Sequence, residues 1–143
     1  MILRITLGAF FGSTFIENLG KGLYTPAGYA SLIHFYIQRG HAPPVWKAIM
    51  ESAATAARIA APSQAVLESS LAILLIIGFL ARPAAFIAFI FLGGLWVSEW
   101  GIGWIWELLV PMIVAASLAL GPSGDYLALD LALRRHWPWL AIW

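Results

Sequence analysis

Four stretches of this chain stay apolar for nearly the length that a bilayer crossing requires, and this limits what it can fold into. About 30 Å of hydrocarbon takes roughly 20 helical residues. Residues 2–19, 64–81, 83–99 and 104–120 come close to that length. In hydrocarbon, backbone N–H and C=O groups find no water, so a lone crossing segment has to satisfy them as a helix. The expected fold is all-α: one integral membrane four-helix bundle spanning residues 1–143. Composition points the same way, with 62% hydrophobic residues and only 10% charged ones, against about 25% charged in an average soluble domain. The net charge of +1 gives no electrostatic case for nucleic acid as a partner. The first run ends at Glu17, Asn18 and Lys21 without a small-x-small cleavage pattern, so it reads as a retained span rather than a cleaved signal peptide.

Punctuation residues set the expected boundaries. Pro62-Ser63 opens the second span, with Ser63 as N-cap. Pro83 starts the third, where a missing N–H does no harm, and Gly121-Pro122 ends the fourth. Arg82 alone joins the second and third spans, and residues 100–103 join the third and fourth, so sequence neighbours become spatial neighbours. The link of residues 20–63 is much longer. Thr25-Pro26 reads as a cap followed by proline at a first helical position, with Arg39 near that helix's end and Gly40 as its stop. A second short helix is expected from Val45 to Ala60, with Lys47, Glu51, Thr55 and Arg58 along one stripe. Both helices suit a membrane surface or a cap on the bundle.

Basic residues near span ends orient the chain. Arg4, Arg82, Arg134 and Arg135 lie in short segments on one side, whereas Lys21, Arg39, Lys47 and Arg58 are spread over the long link. The denser set marks the cytoplasmic side, with both termini there and the link outside, in a prokaryotic plasma membrane. The tail, residues 121–143, adds Trp137, Trp139 and Trp143, suited to the headgroup level. Gly8 and Gly12, and Ala115 and Ala119, form small-xxx-small pairs that let helices approach closely.

Ionisable residues inside spans are expensive and tend to be functional. At about 1.5 Å per residue, Glu17, Glu68, Glu99 and Glu107 all fall in one slab near the outer face, one on each span. Trp96, Trp100, Trp104 and Trp106 fall in the same slab, and Lys21, Tyr24 and Arg58 approach it from the link. Glu68 and Glu107 sit near helix N-termini, where negative charge is favoured; Glu17 and Glu99 sit near C-termini, where it is not. Pro111 has no N–H, so the carbonyl of Glu107 loses its helical partner. Glu107 is therefore the first candidate for a site residue, although helix-end carboxylates, interfacial tryptophans and a plain proline kink are the ordinary reading of each residue singly. The chain has no cysteine, which excludes thiolate metal sites, iron–sulfur clusters and disulfides. No histidine falls in a span, so neither metal nor haem is expected.

Several segments together resemble a known family. Arg4 and Gly8, Gly22-Leu-Tyr-Thr-Pro-Ala-Gly28, Gly40-His-Ala-Pro43, Glu68 with Gly78 and Arg82, Trp104-Ile-Trp-Glu-Leu-Leu-Val-Pro111, Gly124-Asp125 and Leu129-Asp130 resemble the DoxD/DoxX family. They are most similar to its DoxD branch, the membrane subunit of thiosulfate:quinone oxidoreductase. The resemblance implies oxidation of thiosulfate to tetrathionate, with electrons passed to quinone as a diffusible acceptor and a soluble second subunit as partner. Glu17, Glu68, Glu99 and Glu107 are then the catalytic candidates. Trp100, Trp104, Trp106 and Tyr24 are the quinone-binding candidates, and Lys21 and Arg58 suit the thiosulfate dianion. The alternative is a non-catalytic accessory subunit of a larger respiratory or photosynthetic membrane complex, in contact with lipid and quinone.

Overall fold

The computed structural model describes residues 1–121. Six α-helices, and no strand, occur among them: α1 (Ile2–Gly20), α2 (Pro26–Arg39), α3 (Pro44–Thr55), α4 (Ala57–Ile77), α5 (Ala81–Ser98) and α6 (Ile105–Leu120). The expectations placed on the tail, including Trp137, Trp139, Trp143, Arg134, Arg135 and the two Asp motifs, lie outside the described residues. Two helices, α4 and α5, are long and apolar enough to cross a membrane; α6 is apolar but shorter.

The helices meet in a closed circuit. α1 packs on α4, α4 on α5, α5 on α6 and α6 back on α1. α2 packs on α3 and α4, while α3 touches α4 and α5, so the link lies across one end of the circuit. The interior mixes small and large residues: Ala61, Ala72, Ala84, Ala85, Ala88 and Ala115 are buried, beside Leu7, Phe11, Leu71, Leu75, Leu92, Leu108 and Leu118. Other bulky residues point outward, among them Ile16, Val66, Ile73, Phe86, Ile90, Val110 and Ile113. Large apolar side chains therefore lie on the outside as well as the inside, more of them than a surface in contact with water ordinarily carries. Gly8 shows why smallness matters. A methyl group there would lie 2.8 Å from Ile76 Cγ1 and 3.2 Å from the Ala72 carbonyl oxygen, so α1 and α4 touch backbone to backbone. Gly12, one turn on, has only Ala72 Cβ nearby, at 3.9 Å.

The boundaries differ from expectation in two places. The second long helix begins at Ala57, not Gln64, and runs straight through Pro62. Ser63 caps nothing; the break falls at Ala56, between α3 and α4, which shortens the second link helix to Pro44–Thr55. Proline is tolerated this close to a helix start because it removes only the bond to the Arg58 carbonyl, in the helix's first turn. The joint between α4 and α5 is residues 78–80 rather than Arg82, and Arg82 lies inside α5. Gly78 closes α4 in the left-handed region (φ 70°), and Leu80 follows at φ 50°.

The α2 boundaries hold as read. Thr25 Oγ1 accepts the Gly28 N–H at 3.1 Å, and Gly40 ends the helix. Lys47 then reaches back from α3 to donate to the Ile37 and Gly40 carbonyls, at 2.8 and 2.9 Å. Those carbonyls would otherwise be orphans of the helix end. Trp46 seats α3 on α5: its ring packs over Gly94, and its indole N–H donates to Ser98 Oγ at 2.9 Å.

Gly8→Val should lower the stability of the purified protein by about 1–3 kcal/mol through overpacking, while Gly12→Ala should leave it nearly unchanged. Thermal unfolding in detergent reads both; equal effects would mean that α1 does not pack on α4 through Gly8.

Candidate functional site

Where the link covers the helix circuit, α1 and α5 end and α6 begins, so one residue from each brings a carboxylate to the same level. α4 supplies Glu68 about three turns into its length, because the helix starts earlier than expected. A cavity of about 470 Å³ opens there, lined by Glu17, Glu68, Glu99 and Glu107 together. Its floor is apolar, formed by Phe10, Phe11, Phe91, Leu92 and Leu108. Its remaining polar lining includes Thr14, Asn18, Lys21, Tyr36 and Gln64.

Glu68 is wholly buried. A buried carboxylate is costly unless hydrogen bonds replace its water. Three side chains do so: Tyr24 O–H donates to Oε2, Asn18 Nδ2 donates to the same oxygen at 3.2 Å, and Gln64 Nε2 donates to Oε1 at 2.7 Å. Tyr24 is itself held in place by stacking on Phe15, with ring centroids 5.3 Å apart. Burial, and then the hydrogen bond and charge of Glu68, push the Tyr24 phenol well above its ordinary range, so it remains a donor.

Glu99 forms the second centre. Tyr36 O–H, from α2, donates to its Oε1 at 2.6 Å. Burial, followed by the bond to Glu99 and the charges of Glu99 and Glu107, raises the Tyr36 phenol even further. Glu107 is close by: a methyl group at Gly103 would lie 3.0 Å from Glu99 Oε2 and 3.8 Å from Glu107 Oε2, so both carboxylates border the same glycine. Pro111 lies within α6, leaving the Glu107 carbonyl without its helical N–H beside that carboxylate. Glu17 differs from the others. It is exposed and pairs with Lys21 at 2.5 Å, one helical turn on, an arrangement of modest strength in solvent.

The remaining candidates are placed as follows. Lys21 lines the cavity but is engaged by Glu17. Arg58 is exposed in the first turn of α4, away from the cavity lining. Trp100 and Trp104 line a second cleft of about 280 Å³, with Trp96 and Glu99. Trp106 points outward and lines neither. Glu99 is thus the carboxylate shared by both openings. Among the described residues, no three acidic or histidine side chains are disposed to hold a metal ion.

Sequence reading missed Tyr36, Asn18 and Gln64. Gln64 carried a usable signal, standing one helical turn before Glu68. Tyr36 carried none, since only the docking of α2 brings it to Glu99. No family model, curated protein or solved structure matches the chain.

Chemically, the cavity offers an apolar floor for a ring, the Tyr36 phenol, whose O–H is given to Glu99, and four carboxyl groups along one opening. Its electrostatics oppose anions, with four carboxylates against one lysine.

Tyr24→Phe should destabilise the protein at neutral pH by about 1.5–3 kcal/mol, the range for a bond to a charged group. Because the folded-state pKa of Tyr24 is raised, its stabilisation is complete below the unfolded tyrosine value of about 10 and is lost as pH climbs toward the folded value. The gap in unfolding temperature between variant and parent should therefore narrow above that pH. A gap that is constant with pH would mean that Tyr24 does not hold its proton against Glu68.

Proposed function

We propose that the chain is a membrane-embedded four-helix bundle that acts as the quinone-reducing subunit of an oxidoreductase. The membrane reading is supported by the amount of apolar bulk on the outside, where isoleucine, valine and phenylalanine are exposed on several helices, and by the close approach of α1 and α4 at Gly8. Helices in lipid gain little from burying large apolar groups, so they associate through small residues that allow close approach. The two helices of crossing length and the apolar α6 fit the same picture.

The observation that carries the quinone reading is the convergence of four carboxylates on one cavity with an aromatic floor. A quinone ring takes up two electrons and two protons, so its site needs apolar walls for the ring and groups that pass protons to the ring oxygens. Phe10, Phe11 and Phe91 serve as walls. Tyr36 donates its O–H to Glu99 and so fixes that carboxylate, while Glu99 and Glu107, which both border Gly103, are the groups that relay protons. Glu68, held by three donors, positions Asn18, Tyr24 and Gln64 at the side of the cavity.

The resemblance to the DoxD branch supplies thiosulfate as electron donor, oxidised to tetrathionate. A dianion gains nothing in a cavity of four carboxylates whose one lysine is already engaged. Thiosulfate is therefore oxidised outside this cavity, on a soluble partner subunit, and this chain is the acceptor side.

Glu107→Gln keeps the shape and removes the base. In the purified protein, with its soluble partner, thiosulfate-dependent quinone reduction should fall by about 10²-fold. Unchanged turnover would clear Glu107 of a catalytic role. No turnover in the unmodified protein, with or without a partner, would favour the accessory-subunit reading.

A further inference from the structure

The second cleft sits beside the acidic cavity, and the quinone chemistry does not use it. Trp96, Trp100 and Trp104 line it, and the Glu99 carboxylate stands at its edge. Trp96 and Trp100 are tilted against each other with centroids 5.1 Å apart. Trp96 is partly buried and packed against the core, whereas Trp100, which lies on it, and Trp104 are 50% and 71% exposed.

The α5–α6 joint is built to hold this shape. Gly101 adopts φ +87°, a conformation that L side chains rarely take, and any Cβ there would run into the His41 ring. The Trp100 carbonyl accepts the His41 N–H at 2.7 Å, which ties the joint to the link. Gly103 leaves room for Glu99 Oε2. Tyr36 occupies Oε1, and Oε2 lies beside Gly103, which itself lines the cleft.

We propose that this cleft is an aromatic cage for a quaternary ammonium group. Indole faces carry negative quadrupole charge and attract a cation within about 6 Å of the ring centroid, tryptophan most strongly. The carboxylate adds a counter-charge. A primary ammonium fits less well, because its three N–H groups each need an acceptor and the cleft's side chains provide one carboxylate, half of it engaged. A trimethylammonium has no N–H to satisfy and presents methyl groups to the rings. A volume of about 280 Å³ accepts such a headgroup. The source is either a phosphatidylcholine headgroup or a free solute of the choline type; the cage recognises the chemistry they share.

Calorimetric titration of the full-length protein in a non-ionic detergent tests this without turnover, so its outcome is separate from that of the quinone reading. Choline and tetramethylammonium should bind, and the neutral isostere 3,3-dimethylbutan-1-ol should bind at least tenfold more weakly. Trp104→Leu and Trp100→Leu, both at exposed positions, should each weaken choline binding by about three- to thirtyfold. Preference for phosphatidylcholine over phosphatidylglycerol nanodiscs, abolished by the double variant, would assign the lipid as source; saturation by free choline with no lipid preference would assign the solute. Equal binding of choline and the isostere, no binding of either cation, or full affinity in the double variant would overturn the cage.

Discussion

A fully buried carboxylate is the constraint around which the rest of this molecule is arranged. Glu68 cannot enter an apolar interior alone; the desolvation of one charge would offset a large part of a small protein's stability. Its three donors come from three places: the end of α1, the turn that follows it, and the previous turn of its own helix. Satisfying Glu68 therefore fixes where α1 ends relative to α4 and draws Tyr24 inward. Leu23 and Thr25 complete the turn by backbone bonds to Asn18 and Gly22. From there α2 can only start across the end of the helix circuit, which brings Tyr36 to Glu99. Polar demand inside the bundle thus dictates the path of the link outside it.

Much of this was legible in the sequence, for identifiable reasons. Long apolar runs, Thr25-Pro26 and Gly40 are local signals, and α1, α2, α5 and α6 fall within one or two residues of expectation. Counting helical rise put the four carboxylates at one level, since rise per residue is nearly constant. The start of α4 was misplaced because Pro62-Ser63 looks like an opening signal, whereas the helix, packed on α1 and α2, begins about two turns before Gln64. Azimuth was harder than depth. Knowing that Trp100, Trp104 and Trp106 share a level with Glu107 does not tell which way each faces, and the joint at Gly101 and Gly103 sends two of them to a separate cleft and leaves the third outward.

The two openings meet at Glu99. It lines both, one of its oxygens accepting the Tyr36 O–H and the other lying beside Gly103, next to the Glu107 carboxylate.

The alanines set among the leucines of the interior also change how such a protein answers to mutation. In a water-soluble core, the damaging change is truncation, which leaves a void. At Ala61, Ala85, Ala88 and Ala115 there is almost no side chain to remove, and the helices already stand as close as their backbones permit. An alanine scan, the usual survey of contact energy, would be silent at these positions while registering Leu7, Phe11, Leu71, Leu75 and Leu92 beside them. Only a scan that enlarges residues would chart the small ones, and it would draw the helix seams as a line of intolerance through an otherwise permissive surface.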